Sequence, residues 1–372
     1  MTDVGGRYPP PVHDEQAALM RHDSDASLPA PPAPPLAPDG LAFRTALRAL
    51  RPIIGQLAVQ AASAAPSLER LQQRQDPPAV SACDMVEFGG PRAITQVADP
   101  VVCGFLDGIQ RSSVLGHVHG SPIVFGTVAA VIRQRVARRL ETWGTARVHH
   151  ALYASRALIG GAVWAQLESS SMSLYDVSER ADVNDALTHP LAARARSLEL
   201  VAHRREAMER ALAAEWCKEE QRWLWVDGGI SGNLAIHETA TAFGVVKSHQ
   251  TLYGDASMIR LVLGLREGER SPTFLVTHRA RRAVASWYLR LRDAGSGDPL
   301  HGLVRVEVAP SAALVEHTAD SAVRASIAAT SDRLSSWILA ERRPLSLPDP
   351  RWDTLTYGVH GCETYLKALV GS

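Results

Sequence analysis

The order strands, long helix, strands, closing helices predicts a mixed α/β layer fold for this chain. Three observations carry that expectation. Short apolar runs bounded by Gly, Pro and Asp recur between residues 101 and 155 and again between 223 and 309. Between these groups, the stretch from Pro190 to Gln221 is rich in Ala, Arg, Glu and Leu, and after Pro190 it has no helix breaker. Hydrophobic residues make up 46% of the 372 residues, enough to build a core of ordinary size.

Each element follows in chain order. The first 40 residues hold nine of the 23 prolines, including PAPPAPPLAP, and show no apolar periodicity. Such a segment buries too little surface to offset its ordering entropy, so a disordered Pro-rich tail is expected over 1–40. Residues 41–78 read as a helical extension, interrupted at Pro52 and near Pro66 and ended by Pro77-Pro78. The folded domain is placed over 79–372, with its core starting between 79 and 100. VVCGFLDG (101–108) reads as a buried strand ending in an acid and a glycine. GHVHGSPIVFGTVAAVI (116–132) reads as one or two strands joined by the Gly-Ser-Pro turn, and VHHALYAS (148–155) as another strand. After the long helix come WLWVDGG (223–229), TAFGVVKSH, PTFLVTHR, ASWYLRLRD and GLVRVEVA as strands, a helix over 316–341 and a closing helix over 357–369. No internal repeat of solenoid length is present.

Composition removes several classes. The 39 basic and 39 acidic side chains balance to zero, which argues against a uniformly basic surface but leaves a local basic groove open. The four cysteines form no C-x-x-C pair and no zinc spacing, so a reducing cytosol is expected. The start MTDVGGRYPPP has no apolar signal region. The longest charge-free apolar stretch, Ser112 to Ile132, is broken by His117, His119, Gly120 and Pro122, which argues against a membrane span.

Two aspartates stand out. Asp107 in FLDG and Asp227 in WVDG each follow an apolar run and precede a glycine. A carboxylate there is costly unless solvated, paired or bound to a cation, and the glycine permits close approach to the backbone. Two acids on different strands of one sheet can converge on Mg²⁺ or Mn²⁺, which favour carboxylate oxygens. The competing reading is that each Asp-Gly starts a turn. A third carboxylate is expected from the long helix, from Glu199, Glu206 or Glu209. Glu206 and Glu209 share a face at i and i+3, yet with Arg204, Arg205 and Arg210 they also read as a solvated salt-bridge surface.

The order FLDGIQRS, a helix with RREAMERAL, LWVDGGISGN, AFGVVKSH and RWDTLTYGVHGCETYL resembles the NurA nuclease family over roughly residues 100–370. The resemblance implies an RNase H-like mixed sheet flanked by helices and a Mn²⁺- or Mg²⁺-dependent deoxyribonuclease. It also implies a homodimer acting with a HerA-type hexameric ATPase in DNA end processing or antiviral defence. Carried onto this sequence, Asp107 and Asp227 become strand-borne metal ligands and Glu209 the helix ligand, with Glu206 as the alternative. Lys247 becomes a phosphate contact. His360 and Glu363, one helical turn apart after Tyr357, are both candidates for the remaining metal-binding or proton-handling position. The sequence departs from the family where Asp-Gly-Ile and Asp-Gly-Gly replace Asp-Gly-Ser, and where Gly358 stands for a common proline.

Phosphate contacts are sought among Lys247, Arg279, Arg281, Arg282 and the Arg133, Arg135, Arg138, Arg139 group, the last of which also reads as a solvated helix face. Trp287 and Tyr288 could stack on bases, but core packing is the expected role. His117 and His119 share a strand face without a suitable third zinc ligand nearby. GGISGN (228–233) lacks the features of a phosphate loop and reads as a turn that leaves Asp227 open. Two other functions remain in view: a non-catalytic NurA-like DNA-binding or assembly subunit, and an actin-like phosphotransferase.

Overall fold

The computed structural model describes residues 45, 48, 60–61, 78–95, 102–137, 139–178, 189–239, 241–278, 281–294, 298–317, 320–342 and 356–370. The Pro-rich tail and almost all of the expected helical extension lie outside the described residues.

The centre of the molecule is one large mixed sheet. Strand β1 (Gly104–Val118) pairs antiparallel with β2 (Ser121–Val136), and β2 pairs antiparallel with β3 (Arg147–Ala154). The short edge strand β4 (Ser173–Asp176) runs parallel to β3. Helix α1 (Pro190–Glu219) then crosses the sheet and returns the chain to β5 (Leu224–Asp227), parallel to β1. β6 (Ala242–Val246) is parallel to β5. Beyond it, β7 (Phe274–His278), β8 (Arg281–Arg290) and β9 (Leu303–Val308) complete the sheet, in the spatial order β7-β8-β9-β6-β5-β1-β2-β3-β4. The antiparallel meander β1-β2-β3, with two strands added parallel to β1 after a helical crossover, is the RNase H-like mixed sheet.

Alternation along β1 assigns the two faces. Leu106 joins the core beneath α1 with Val201, Met208, Leu212 and Trp216. Phe105 joins the opposite core, built from α2 (Ser321–Ala340) and α3 (Tyr357–Val370) with Trp225, Phe243, Trp337, Val359 and Cys362. Helix α1 starts at Pro190, whose missing N–H costs nothing at a first turn, and the His189 ring caps it by accepting from the Leu191 amide.

Several expectations are corrected. The run at 101–108 does not end a strand: β1 continues for 15 residues, and Asp107 is its fourth. The hairpin to β2 turns at His119-Gly120, both with positive φ (48° and 79°), as a two-residue loop requires. Pro122 therefore lies within β2, opposite His117, rather than in the turn, and His117 and His119 do not share a strand face. Arg133 and Arg135 are on β2 and Arg139 starts the short strand Arg139–Thr142, so these three are on strands and not on a helix. Gln60–Ala61, expected in a helix, is a two-residue strand on the far end of β1, where β1 outruns its pairing with β5 and leaves backbone groups to satisfy. Among the described residues no helix is long and apolar enough to cross a membrane.

Candidate active site

β1 and β5 lie side by side with Leu106 opposite Val226, so Asp107 and Asp227 follow on adjacent strands and alternate onto the same face as Phe105 and Trp225. Glu209 comes from α1, on the other face. It reaches β1 beside Asp107 because Gly108 has no side chain: a Cβ there would stand 2.2 Å from Glu209 Oε1. The glycine after Asp107 thus serves close approach and not a turn.

Electrostatics show that the three acids share one field. Burial, then Asp227, and further Glu209 hold the Asp107 carboxyl well above its ordinary range, against the opposing Lys247 charge and the Gly108 amide, which donates to Asp107 Oδ1 at 2.8 Å. Burial pushes Glu209 up to about 7 although Arg205 pairs with it at 2.5 Å. Glu206 is the more exposed of the two helix candidates, at 45% against 13% for Glu209, and is 3.9 Å from both Arg205 and Arg210.

Cations balance the acids. Lys247, just past β6, sets its Nζ 2.8 Å from Asp227 Oδ1. The expectation of an open Asp227 is therefore corrected. Residues 228–233 also do not hang free: Gly228 N–H donates to Val245 O at 3.0 Å, and Ile230 N–H to Glu307 at 2.8 Å. Among the described residues, no three His, Cys, Asp or Glu side chains are gathered closely enough to hold a metal ion. The set expected for that role, Asp107, Glu209, Asp227 and His360, is thus not gathered in this structure, where Lys247 pairs with Asp227 and Arg205 with Glu209.

His360 and Glu363 lie on α3, which seats Cys362 on β1 through a thiol donating to Phe105 O at 3.2 Å. Cys362 is itself held high by burial and by the Asp107 charge. Glu363 is engaged along its own helix, by Lys367 at 2.8 Å and by His360 at 3.9 Å. Gly358 admits Phe105 against the first turn of α3, where a Cβ would meet the ring at 2.2 Å.

A cleft of about 440 Å³ opens on the α1 face, bordered by Glu209 and Asp227 and by Arg205, Arg210, Arg281 and Arg305. Of the phosphate candidates, Arg281 lines it, Lys247 stands on Asp227, and Arg279 lies outside the described residues. Arg138 is also outside them. Arg133 is tied to Thr142 at 2.7 Å and stacks on Tyr365, and Arg135 binds Glu341 at 2.5 Å, so these two are structural. Trp287 and Tyr288 are fully buried, with Trp287 Nε1 donating to Ser335 at 2.9 Å, and are not base-stacking platforms. His149 and His150 point to opposite sides of β3, to Tyr175 and Thr127 respectively.

Sequence reasoning missed Arg305 and Glu307, and took Arg205 only as part of a solvated salt-bridge surface. The signal for Arg205 was present, since Arg205 and Glu209 are spaced i, i+4. Nothing local marks Glu307, which is a β-strand acid on the inner side of a sheet.

No protein-family model matches the chain, and no curated protein matches it. Among solved structures, the crystal structure of the NurA nuclease from Sulfolobus solfataricus is similar over 72% of this chain and 79% of that one, at 11% sequence identity and a TM-score of 0.40.

Proposed function

We propose that the chain is a metal-dependent deoxyribonuclease. The observation that carries this reading is that Asp107, Asp227 and Glu209, from β1, β5 and α1, share one electrostatic field, with Glu209 and Asp227 bordering an arginine-lined cleft. Mutual repulsion in a buried acidic group is what a hard divalent cation relieves, and the all-oxygen donor set suits Mn²⁺ or Mg²⁺. Asp107, Asp227 and Glu209 would hold the ion, with His360 or Glu363 completing the set. When bound, such ions supply a water nucleophile and charge stabilisation for phosphodiester hydrolysis.

The chain's own residues supply the rest. Arg281 and Arg210 attract the DNA backbone without reading sequence. Lys247 and Arg205 neutralise Asp227 and Glu209, and each can exchange its carboxylate for a substrate phosphate. The proposed partner, a HerA-type hexameric ATPase, the homodimer and the role in end processing or defence rest on the sequence motifs alone.

The test is incubation of the purified protein with linear single- and double-stranded DNA and Mn²⁺, beside Asp227→Asn. Cleavage by the wild type and not by the variant is expected. If neither cuts, even with a translocase supplied, the enzyme reading fails. The pairing of both Lys247–Asp227 and Arg205–Glu209 favours a second reading, in which the protein binds DNA without cutting it; binding without Mn²⁺-dependent cleavage would support that reading.

A further inference from the structure

We infer that Glu307 is a positioning residue that sets the spacing between Asp227 and Glu209; this rests on the nuclease reading. Glu307 stands on β9 at 3% exposure. Both of its oxygens are engaged. Oε2 accepts from the Ile230 amide at 2.8 Å, and Oε1 accepts from Arg305 at 2.5 Å. Arg305 is fixed in turn, by donating to Ser286 Oγ at 3.2 Å and by stacking 4.9 Å over the Tyr253 ring. A buried ion pair of this kind gives little net stability, because desolvation offsets its attraction, but it holds geometry.

What it holds is the chain leaving Asp227. Residues 228–230 fold back onto β6, where a side chain at Gly244 would come within 2.4 Å of Gly228 O and 3.0 Å of Ile230 Cγ2. The same segment runs on to Asn233, whose side-chain amide donates to Arg210 O on α1, the residue after Glu209, at 3.3 Å. Ser231 O accepts from the Arg282 amide at 3.0 Å. Residues 228–233 therefore form a strap that joins the strand bearing Asp227 to the helix bearing Glu209, and Glu307 is its buried anchor. With both oxygens engaged by protein donors, Glu307 acts through Asp227 and Glu209.

The test uses the full chain with two variants that release the strap at opposite ends, Glu307→Ala and Asn233→Ala. Four quantities are read: hydrogen exchange at the Ile230 amide, Mn²⁺ affinity by calorimetry, and kcat and KM for linear DNA. Faster Ile230 exchange is expected in Glu307→Ala. Mn²⁺ affinity and kcat are expected to fall about 10- to 100-fold in both variants, the range seen when residues that orient metal ligands are removed, with KM nearly unchanged. Glu307→Gln keeps an acceptor for Ile230 and is expected to recover part of the loss. If wild type binds Mn²⁺ and both variants bind it equally well, the positioning role is overturned while the nuclease reading stands. A rise confined to KM also overturns it. If wild type binds no Mn²⁺, the nuclease reading fails and this inference with it. Should Glu307→Ala not fold, Asn233→Ala decides alone.

Discussion

At Glu209 a side chain is kept where its charge is unwelcome. Its carboxyl titrates near 7 in the folded chain against an ordinary value of 4.5, first because of burial. Below pH 4.5 the group is protonated whether the chain is folded or not, and it costs nothing. Between 4.5 and 7 the unfolded chain ionises while the folded one keeps its proton, so stability falls as pH rises through that window, and the cost is complete above 7. Glu209→Gln should therefore raise unfolding free energy at pH 8 by up to about 3 kcal/mol and leave it nearly unchanged at pH 4. Urea titration at the two pH values checks this, and DNA cleavage in the same variant should be lost. Lys247→Met removes the cation on Asp227 and should weaken DNA binding, as a Kd measurement at fixed salt will show.

The elements decide whether those residues can meet. Gly108 is a gap in β1 through which Glu209 on α1 approaches the strand that carries Asp107. Gly108→Ala should push the Glu209 carboxylate away and cut kcat by at least about tenfold, in keeping with the sensitivity of catalysis to small misplacements. Circular dichroism of the variant should stay that of the wild type, since the contacted atoms are the end of a flexible side chain.

The whole molecule is held by connections between distant segments. Arg270 has a fully buried side chain and binds Glu87 at 2.7 Å and Asp332 at 2.6 Å, tying residues 78–95 to α2. Burial alone would raise the Glu87 carboxyl, but hydrogen bonds from Arg270 and Thr273 bring it below its ordinary value. Arg270→Met removes the buried cation from between both acids, leaving them the half-exposed Arg92 and, for Glu87, Thr273, and should destabilise the fold by about 3 kcal/mol, measurable by chemical denaturation. Zero net charge does not oppose DNA binding at this scale, because the field depends on where Arg205, Arg210, Arg281 and Lys247 stand. If these four neutralise four phosphates of a single strand, affinity should fall about 50-fold between 50 and 200 mM salt. A salt-independent Kd would remove the cleft from the DNA path.

Much of the sheet was legible in the sequence, because apolar runs ending in glycine or aspartate mark strands and an unbroken Ala/Arg/Glu/Leu stretch marks α1. Asp107 and Asp227 could be singled out because an acid beside an apolar strand is expensive, and that expense is local. The choice between Glu206 and Glu209 was not legible, since both share a helical face and only contact with Gly108, about 100 residues away, separates them. The role of Arg133 and Arg135, the fastening of the 228–233 strap and the anchoring by Glu307 were hidden for the same reason. The sequence by itself determined which segments become strands and which acids are out of place, through short-range propensity and desolvation cost. Tertiary structure alone decided which of those acids share a field and what holds them there, because that depends on register between strands and on contacts that no local spacing encodes.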